Sequence, residues 1–297
     1  MHKNRIIVLM GPTGAGKSAL ALEIAASRPS VIINADAMQM VSSVRVITAR
    51  PTVEEEGRAE HALYGVLQPQ EPTSVAVWLK LVEPTIRTAW EEGKLPLLIG
   101  GTGMYIKALM DGLAVIPPIP DDIRTTLRAL DAAEIRIRLE VADPTMAAQL
   151  KPGDSQRNLR ALEVWEATGT SLSAWQEQAV TPLFPEIQFQ CFAAMHPREE
   201  IYRRIDARFE TMMNQGALDE VSALMNMNLS PELPILRAHG VPELMAHLRG
   251  EMALDEAIAK AQKITRNYAK RQMTWLRNQL SEALEVQAVA PIMASLN

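Results

Sequence analysis

Apolar residues open the chain as an unbroken run over 6–10 (IIVLM), and a second run lies over 31–35 (VIINA). A third covers 95–99 (LPLLI), and a fourth, 189–195, reads FQCFAAM. Continuous short runs of this kind fit strands buried on both faces, as in a parallel sheet. A shorter stretch at 61–64 adds a candidate edge strand. Between the runs the apolar positions recur at helical spacing, over 19–25, 75–92 and 104–109. Ser74 is placed to cap the second of these helices and Gly93 to end it. Residues 37–56 show no clear period and read as a loop.

The alternation breaks at 116–120, IPPIP, a stiff proline-rich joint. From 121 to about 178 the pattern predicts helices alone. Asp121, Asp143 and Asp154 serve as caps, and Gly169 closes the helix over 155–168. The strand at 189–195 returns the chain to the sheet. Helices follow over 199–214, 218–227 and 254 to about 280. The tail past Glu285 gives no pattern. The expected fold is α/β: a P-loop-type parallel sheet flanked by helices (1–115 and 186–297), with an inserted all-helical subdomain (116–185).

At 297 residues and 47% hydrophobic content, the chain reads as a globular protein. No apolar run approaches the roughly 20 residues of a membrane span, so no membrane partner is expected. Residues 1–5 pass straight into the first run, which leaves no room for a signal peptide, and cytoplasmic residence is the expectation. Cys191 is the one cysteine, which excludes an internal disulfide; its apolar neighbours place it in the core. A monomer is expected.

The chemistry begins between the first run and the first helix. Gly11, Pro12, Thr13, Gly14, Ala15, Gly16, Lys17 and Ser18 follow the spacing G-x-x-x-x-G-K-[ST]. Glycines let backbone N–H groups turn onto an anion, and the helix N-terminus adds further donors. Lys17 brings a full charge, and the Ser18 hydroxyl suits Mg²⁺. By itself the loop suggests a nucleotide site. A motor or switch NTPase needs an acidic strand end to hold magnesium; the run at 95–99 ends in glycine, so that class fails. The run at 31–35 ends at Asp36, and a small-molecule kinase using ATP stays open at this point.

Four further segments carry a family resemblance. They are Asp36-Ala-Met-Gln39 with Thr48-Ala-Arg-Pro51, Gly100-Gly-Thr-Gly-Met-Tyr105, Gln156 to Val164, and Thr265 to Arg277. With the glycine loop, in this order, they resemble the tRNA dimethylallyltransferase (isopentenyl-tRNA transferase) family nearly end to end. The chain departs from the family pattern at Ala37, Val41, Ile47 and Arg50, where serine, tyrosine, glycine and lysine are usual.

The resemblance implies transfer of a dimethylallyl group from its diphosphate to N6 of the adenosine 3′ of the anticodon (position 37). The loop 11–18 would then hold a diphosphate leaving group, with Mg²⁺ on Ser18. Asp36 would accept a proton from N6, Thr102 would face it, and Arg204 would meet the diphosphate. For tRNA, the anticodon stem-loop, it implies Asp36, Ala37, Met38, Gln39 and Thr102 around the base. Arg124, Gln156, Arg157, Asn158, Leu159 and Arg160 come from the insert, and Lys270, Arg271, Gln272 and Arg277 from the last long helix. A net charge of −5 counts against general nucleic-acid binding. Residues 257–281, however, hold six basic and no acidic side chains. Lys263, Arg266, Lys270 and Arg277 recur on one helical side. Tyr268 and Trp275 read as core rather than base-stacking groups.

Overall fold

The computed structural model describes residues 5–178 and 180–296; of the 1–5 stretch on which the signal-peptide expectation rests, residues 1–4 lie outside them. The chain divides into two compact units, residues 1–110 with 183–297, and residues 111–182.

In the larger unit, strand β1 (Arg5–Met10) leads into helix α1 (Lys17–Ser27), β2 (Ser30–Asn34), α2 (Val53–Arg58) and β3 (Glu60–Ala62). Helix α3 (Val75–Glu91), β4 (Leu95–Gly100) and α4 (Gly103–Asp111) complete this stretch. The helical unit contains α5 (Asp121–Arg128), α6 (Ala132–Ala142), α7 (Pro144–Gln149), α8 (Ser155–Thr168) and α9 (Leu172–Glu177). The chain then adds β5 (Gln188–Ala194), α10 (Arg198–Asn214), α11 (Ala217–Asn226) and α12 (Val241–Leu248). It closes with α13 (Leu254–Gln279), β6 (Leu284–Val286) and α14 (Ala290–Leu296).

The sheet is wholly parallel in the order β3-β2-β4-β1-β5-β6. Side chains alternate across it, because successive strand residues point to opposite faces. Ile6, Val8 and Met10 pack with Trp78, Val82 and Ile86 of α3 and with Tyr105, Ile106 and Leu109 of α4. Ile7 and Leu9 pack on the other face with Leu20 and Ile24 of α1, Ile205 of α10 and Ile292 of α14. Burial on both faces explains why the strands read as unbroken apolar runs. A third cluster joins α10 to α13 with Val41, Val44 and Ile47. Two of the family departures, Val41 and Ile47, are therefore core residues. Cys191 is half-buried, and burial pushes its thiol up to about 11.

The helix boundaries follow their caps. Ser74 accepts from Val77 N, Asp143 from Met146 N and Asp154 from Arg157 N, and Gly169 ends α8 in the left-handed region. Asp121 does not cap. Pro120 holds the N-cap position of α5, and Asp121 lies in the first turn, where its charge still favours the helix dipole. Residues 37–56 are more ordered than their lack of period suggests. Met38–Met40 forms a 3-10 turn, and Thr52 and Glu55 form a capping box that starts α2. The tail, unpatterned in sequence, supplies the edge strand β6 and α14. Both are too short to show a period.

Among the described residues, no helix is long and apolar enough to cross a membrane.

Candidate functional site

Three strand ends build one cleft. After β1 the glycine loop turns at Gly14 and Gly16, whose φ values of +84° and +82° few other residues adopt. Gly16 is also the N-cap of α1 and offers no side-chain acceptor, so the first amides of the helix stay available to an anion. Gly11 is needed for a different reason. A Cβ there would lie 2.7 Å from Ala194 O on β5.

After β2 comes Asp36, which Asn34 fixes. Asn34 is fully buried. Its Oδ1 accepts from Asp36 N at 2.9 Å, and its Nδ2 donates to Asp36 O at 2.9 Å and Leu63 O at 3.0 Å. The carboxylate accepts from Met38 N at 3.0 Å. After β4 comes the glycine turn 100–103. A Cβ on Gly100 would sit 2.2 Å from Ala35 O, and one on Gly103 2.5 Å from the Trp275 ring. Crowding, rather than backbone angle, demands glycine at both. Thr102 Oγ1 accepts from Ala37 N at 3.2 Å, tying this turn to the Asp36 loop.

The resulting cavity, about 280 Å³, is lined by Lys17, Ser18, Asp36, Gln39, Arg204 and Arg208 among others. Three cations face one carboxylate, a balance suited to a multiply charged anion. Lys17 Nζ donates to Gly11 O and Pro12 O at 3.0 Å each. Burial lowers its pKa to about 8, against the opposing pull of Asp36, while Arg208 lowers it further. Burial pushes the Asp36 carboxyl above its ordinary value; the Met38 N–H, Lys17, the Gln39 N–H and Arg208 pull the other way. A carboxylate raised in this way is a better proton acceptor than one in water. Ser18 is exposed at the lip of the loop.

Arg204 lines the cleft as the resemblance implies, with its Nε held by Glu200 Oε1 at 2.6 Å. Sequence reasoning missed Arg208, one turn further along α10. It is half-buried with its guanidinium desolvated, and its Nη2 donates to Thr13 Oγ1. The i to i+4 spacing from Arg204 was the available signal. Gln272 also differs from expectation. It is 6% exposed, accepts from Thr13 N at 2.9 Å and donates to Gly101 O at 3.0 Å. It joins the two glycine turns rather than presenting its side chain to RNA.

On the rest of α13, Lys270, Arg271 and Arg277 are exposed, while Arg266 pairs with Asp206 at 2.5 Å. Tyr268 is half-buried, tilted against His239 with ring centroids 4.5 Å apart, and Arg271 lies over its ring. Trp275 is half-buried against Gly103. Ala37 and Met38 lie half-buried beside Asp36.

Within the helical unit, Gln156 and Arg157 are exposed, and Arg160 and Arg124 are half-buried. Buried Glu163 takes both Arg128 at 3.3 Å and Arg160 at 3.7 Å. Asn158 departs from the expected RNA role. It is fully buried, and its Nδ2 donates to Lys151 O, Pro152 O and Asp154 O. Leu159 packs against the unit's own core. Two of the five residues over 156–160 thus build the subdomain, because a helix touching its own core must turn some positions inward.

The IPP transferase family matches residues 39–279, and the isopentenyl transferase family matches residues 4–62. The chain belongs to the IPP transferase family. Among relatives of this IPP transferase, the tRNA dimethylallyltransferase of Rhodospirillum centenum is 46% identical over 282 residues, 94% of this chain and 90% of the relative. That of Azorhizobium caulinodans is 47% identical over 280 residues, covering 93% and 90%. Among solved structures, the tRNA isopentenylpyrophosphate transferase of Bacillus halodurans superposes with a TM-score of 0.69 at 28% identity, covering 96% and 90%. A eukaryotic dimethylallyltransferase solved acting on tRNA gives a TM-score of 0.80 at 25% identity, covering 96% of this chain and 74% of its own.

Proposed function

We propose that this IPP transferase moves a dimethylallyl group from dimethylallyl diphosphate to N6 of the adenosine 3′ of the anticodon, position 37, in tRNA. The observation that carries the reading is the placement of Asp36 on one wall of a cleft whose other wall is the glycine loop with Lys17, Arg204 and Arg208. The allylic C1–O bond breaks, and its electron pair leaves with the diphosphate. The N6–C1 bond forms, and one N6 proton passes to Asp36. Adenine N6 is a weak nucleophile because its lone pair is drawn into the ring. A carboxylate accepting one of its protons restores reactivity and sets direction. Loop amides and the three cations stabilise the charge that develops on the leaving group.

The residues of the loop fit Mg²⁺, which would sit beside the diphosphate. The Ser18 hydroxyl has no protein partner among the described residues, and Mg²⁺ commonly takes few protein ligands beside phosphate oxygens and water. Ser18 would hold it, and it would neutralise charge on the leaving group.

The base must leave its stack to reach Asp36, as in other base-modifying enzymes. Exposed Lys270, Arg271 and Arg277 on α13 supply phosphate contacts, as do Gln156 and Arg157 on the helical unit. The test is incubation with labelled dimethylallyl diphosphate and either whole tRNA or AMP. Label recovered in N6-modified adenosine from tRNA supports the reading. Absence of label from tRNA, with ATP turnover on a small alcohol, overturns it in favour of a kinase.

A further inference from the structure

Glu220, in the first turn of α11, lies outside the cleft and has no part in the chemistry above. Its carboxylate nevertheless accepts three consecutive backbone N–H groups from a distant turn: Arg45 N, Val46 N at 3.0 Å and Ile47 N at 2.9 Å. Residues 44–50 form a single tight turn. Thr48 Oγ1 donates to Val44 O at 2.9 Å, Ala49 N to Val46 O at 3.0 Å and Arg50 N to Arg45 O at 3.0 Å. The amides at its head have no partner within the turn, as at any helix start, and one carboxylate satisfies them all.

The far end of that turn reaches the cleft. Ala49, at φ +54°, closes it in the left-handed region. Thr48 O and Ala49 O both accept from Gln39 Nε2, at 2.9 and 3.0 Å. Only an NH₂ group can serve two carbonyls, so the orientation of the Gln39 amide is fixed without ambiguity. Both of its N–H groups are consumed. Oε1 is left without a partner among the described residues, and Gln39 lines the same cavity as Asp36, Thr48 and Ala49. The cleft thus presents two acceptors, a carboxylate and an amide carbonyl, and Gln39 has no donor left to offer.

We propose that Glu220 is a positioning residue for the acceptor nucleobase. By clamping the 44–50 turn it locks Gln39 with its carbonyl as the free group, so that the two N–H groups of an exocyclic amine meet Asp36 and Gln39. A 6-oxo purine would set oxygen against oxygen at the same place. This inference rests on the RNA-prenylating reading above and adds to it the device that selects an amine.

The experiment compares wild type, Glu220→Gln and Gln39→Met, singly and combined, on anticodon stem-loops. Transfer to the adenosine substrate is measured, with its inosine counterpart at the acceptor position as a competitor. In wild type the inosine stem-loop competes at least about tenfold more weakly than the adenosine one, as a site built around hydrogen bonds requires. In Glu220→Gln that gap narrows to within roughly threefold, and kcat/KM for the stem-loop falls about tenfold. KM for dimethylallyl diphosphate stays within about twofold of wild type, and hydrogen exchange at amides 45–47 accelerates. In the Gln39→Met background Glu220→Gln adds little, because the two act as one unit.

Three outcomes overturn the proposal. One is an unchanged inosine gap in Glu220→Gln. Another is full additivity with Gln39→Met. The third is a parallel loss of diphosphate affinity, stem-loop activity and thermal stability, which marks a merely structural role. An inactive wild type fails the underlying reading instead and takes this inference with it.

Discussion

Gln272 Oε1 accepts the backbone N–H of Thr13 at 2.9 Å, across 259 residues of sequence. The other end of the same amide donates to Gly101 O at 3.0 Å, and a Cβ on Gly101 would collide with it at 2.1 Å. One buried amide therefore sets the spacing between the glycine loop and the turn that carries Thr102. Gln272→Glu keeps the acceptor for Thr13 N but sets a carboxylate oxygen against Gly101 O. We expect kcat/KM for both substrates to fall at least about tenfold, since a broken buried bond of this kind costs roughly 1–3 kcal/mol. Steady-state kinetics against each substrate in turn checks this. A loss confined to tRNA would return Gln272 to the RNA surface.

Arg208 and Arg204 make a matched pair for comparison. Glu200 already holds Arg204 Nε at 2.6 Å, and the Arg204 side chain is 37% exposed, so part of its charge is spent and screened. Arg208 is also half-buried, but burial lowers the pKa of its guanidinium, and its hydrogen-bond partner is the neutral Thr13 Oγ1 rather than a carboxylate. We expect Arg208→Ala to weaken diphosphate binding on the order of a hundredfold and Arg204→Ala nearer tenfold, because a desolvated charge counts for more. Calorimetric titration with inorganic diphosphate gives both numbers. The reverse order would make Arg204 the principal anion ligand.

How far the sequence revealed this site depends on how local each interaction is. The glycine loop, Asp36 and the 100–103 turn are legible because each is a short spacing between strand and helix. Gln272 and Glu220 are not. Their partners lie 259 and about 174 residues away, and nothing in a glutamine on a basic helix or a glutamate near a helix start distinguishes a loop clamp from a solvated side chain. Asn158 shows the opposite error. Its place in a motif suggests function, while its three donations to loop carbonyls show that the motif also holds the subdomain together.

Asp36 carries a cost that its removal should return. Its folded pKa is raised by burial, so the native state binds the proton more tightly than the unfolded chain. Above that raised value the ionised carboxylate opposes folding, and the penalty fades as pH falls toward the unfolded value. Asp36→Asn keeps an oxygen for Met38 N but cannot take a proton. We expect transfer to fall by about 10²–10⁴ while the thermal midpoint at neutral pH rises. Scanning calorimetry with single-turnover transfer tests both. A lowered midpoint would mean that the cations around Asp36 outweigh its desolvation.

We expect Lys17 to set the alkaline limit of activity. With its pKa lowered to about 8, it loses its charge as pH rises through that value, and we expect the free enzyme then to bind diphosphate less well. Diphosphate in the loop favours the ammonium, so kcat should respond less than kcat/KM. We expect kcat/KM for dimethylallyl diphosphate to decline above about pH 8 and Lys17→Arg to flatten that limb, since a guanidinium stays charged. A pH series of initial rates decides it. An alkaline limb unmoved by Lys17→Arg would assign it to another group.

The exposed face of α13 gives the test for RNA. Lys270 and Arg277 are exposed, whereas Arg266 is held by Asp206 at 2.5 Å and is partly neutralised before RNA arrives. A phosphate contact releases condensed counterions, so each lost contact should reduce the slope of log affinity against log salt by roughly 0.7–0.9. Replacing both Lys270 and Arg277 with alanine should therefore lower the slope by roughly 1.4–1.8 and weaken tRNA binding most at low salt. Arg266→Ala should change it less, because its loss also frees the Asp206 carboxylate of a partner. Filter binding of one tRNA across a salt series measures all three proteins. An unchanged slope in the double variant would remove this face of α13 from the RNA contact. A slope that drops as far in Arg266→Ala as in the double variant would show that the Asp206 pair opens on binding.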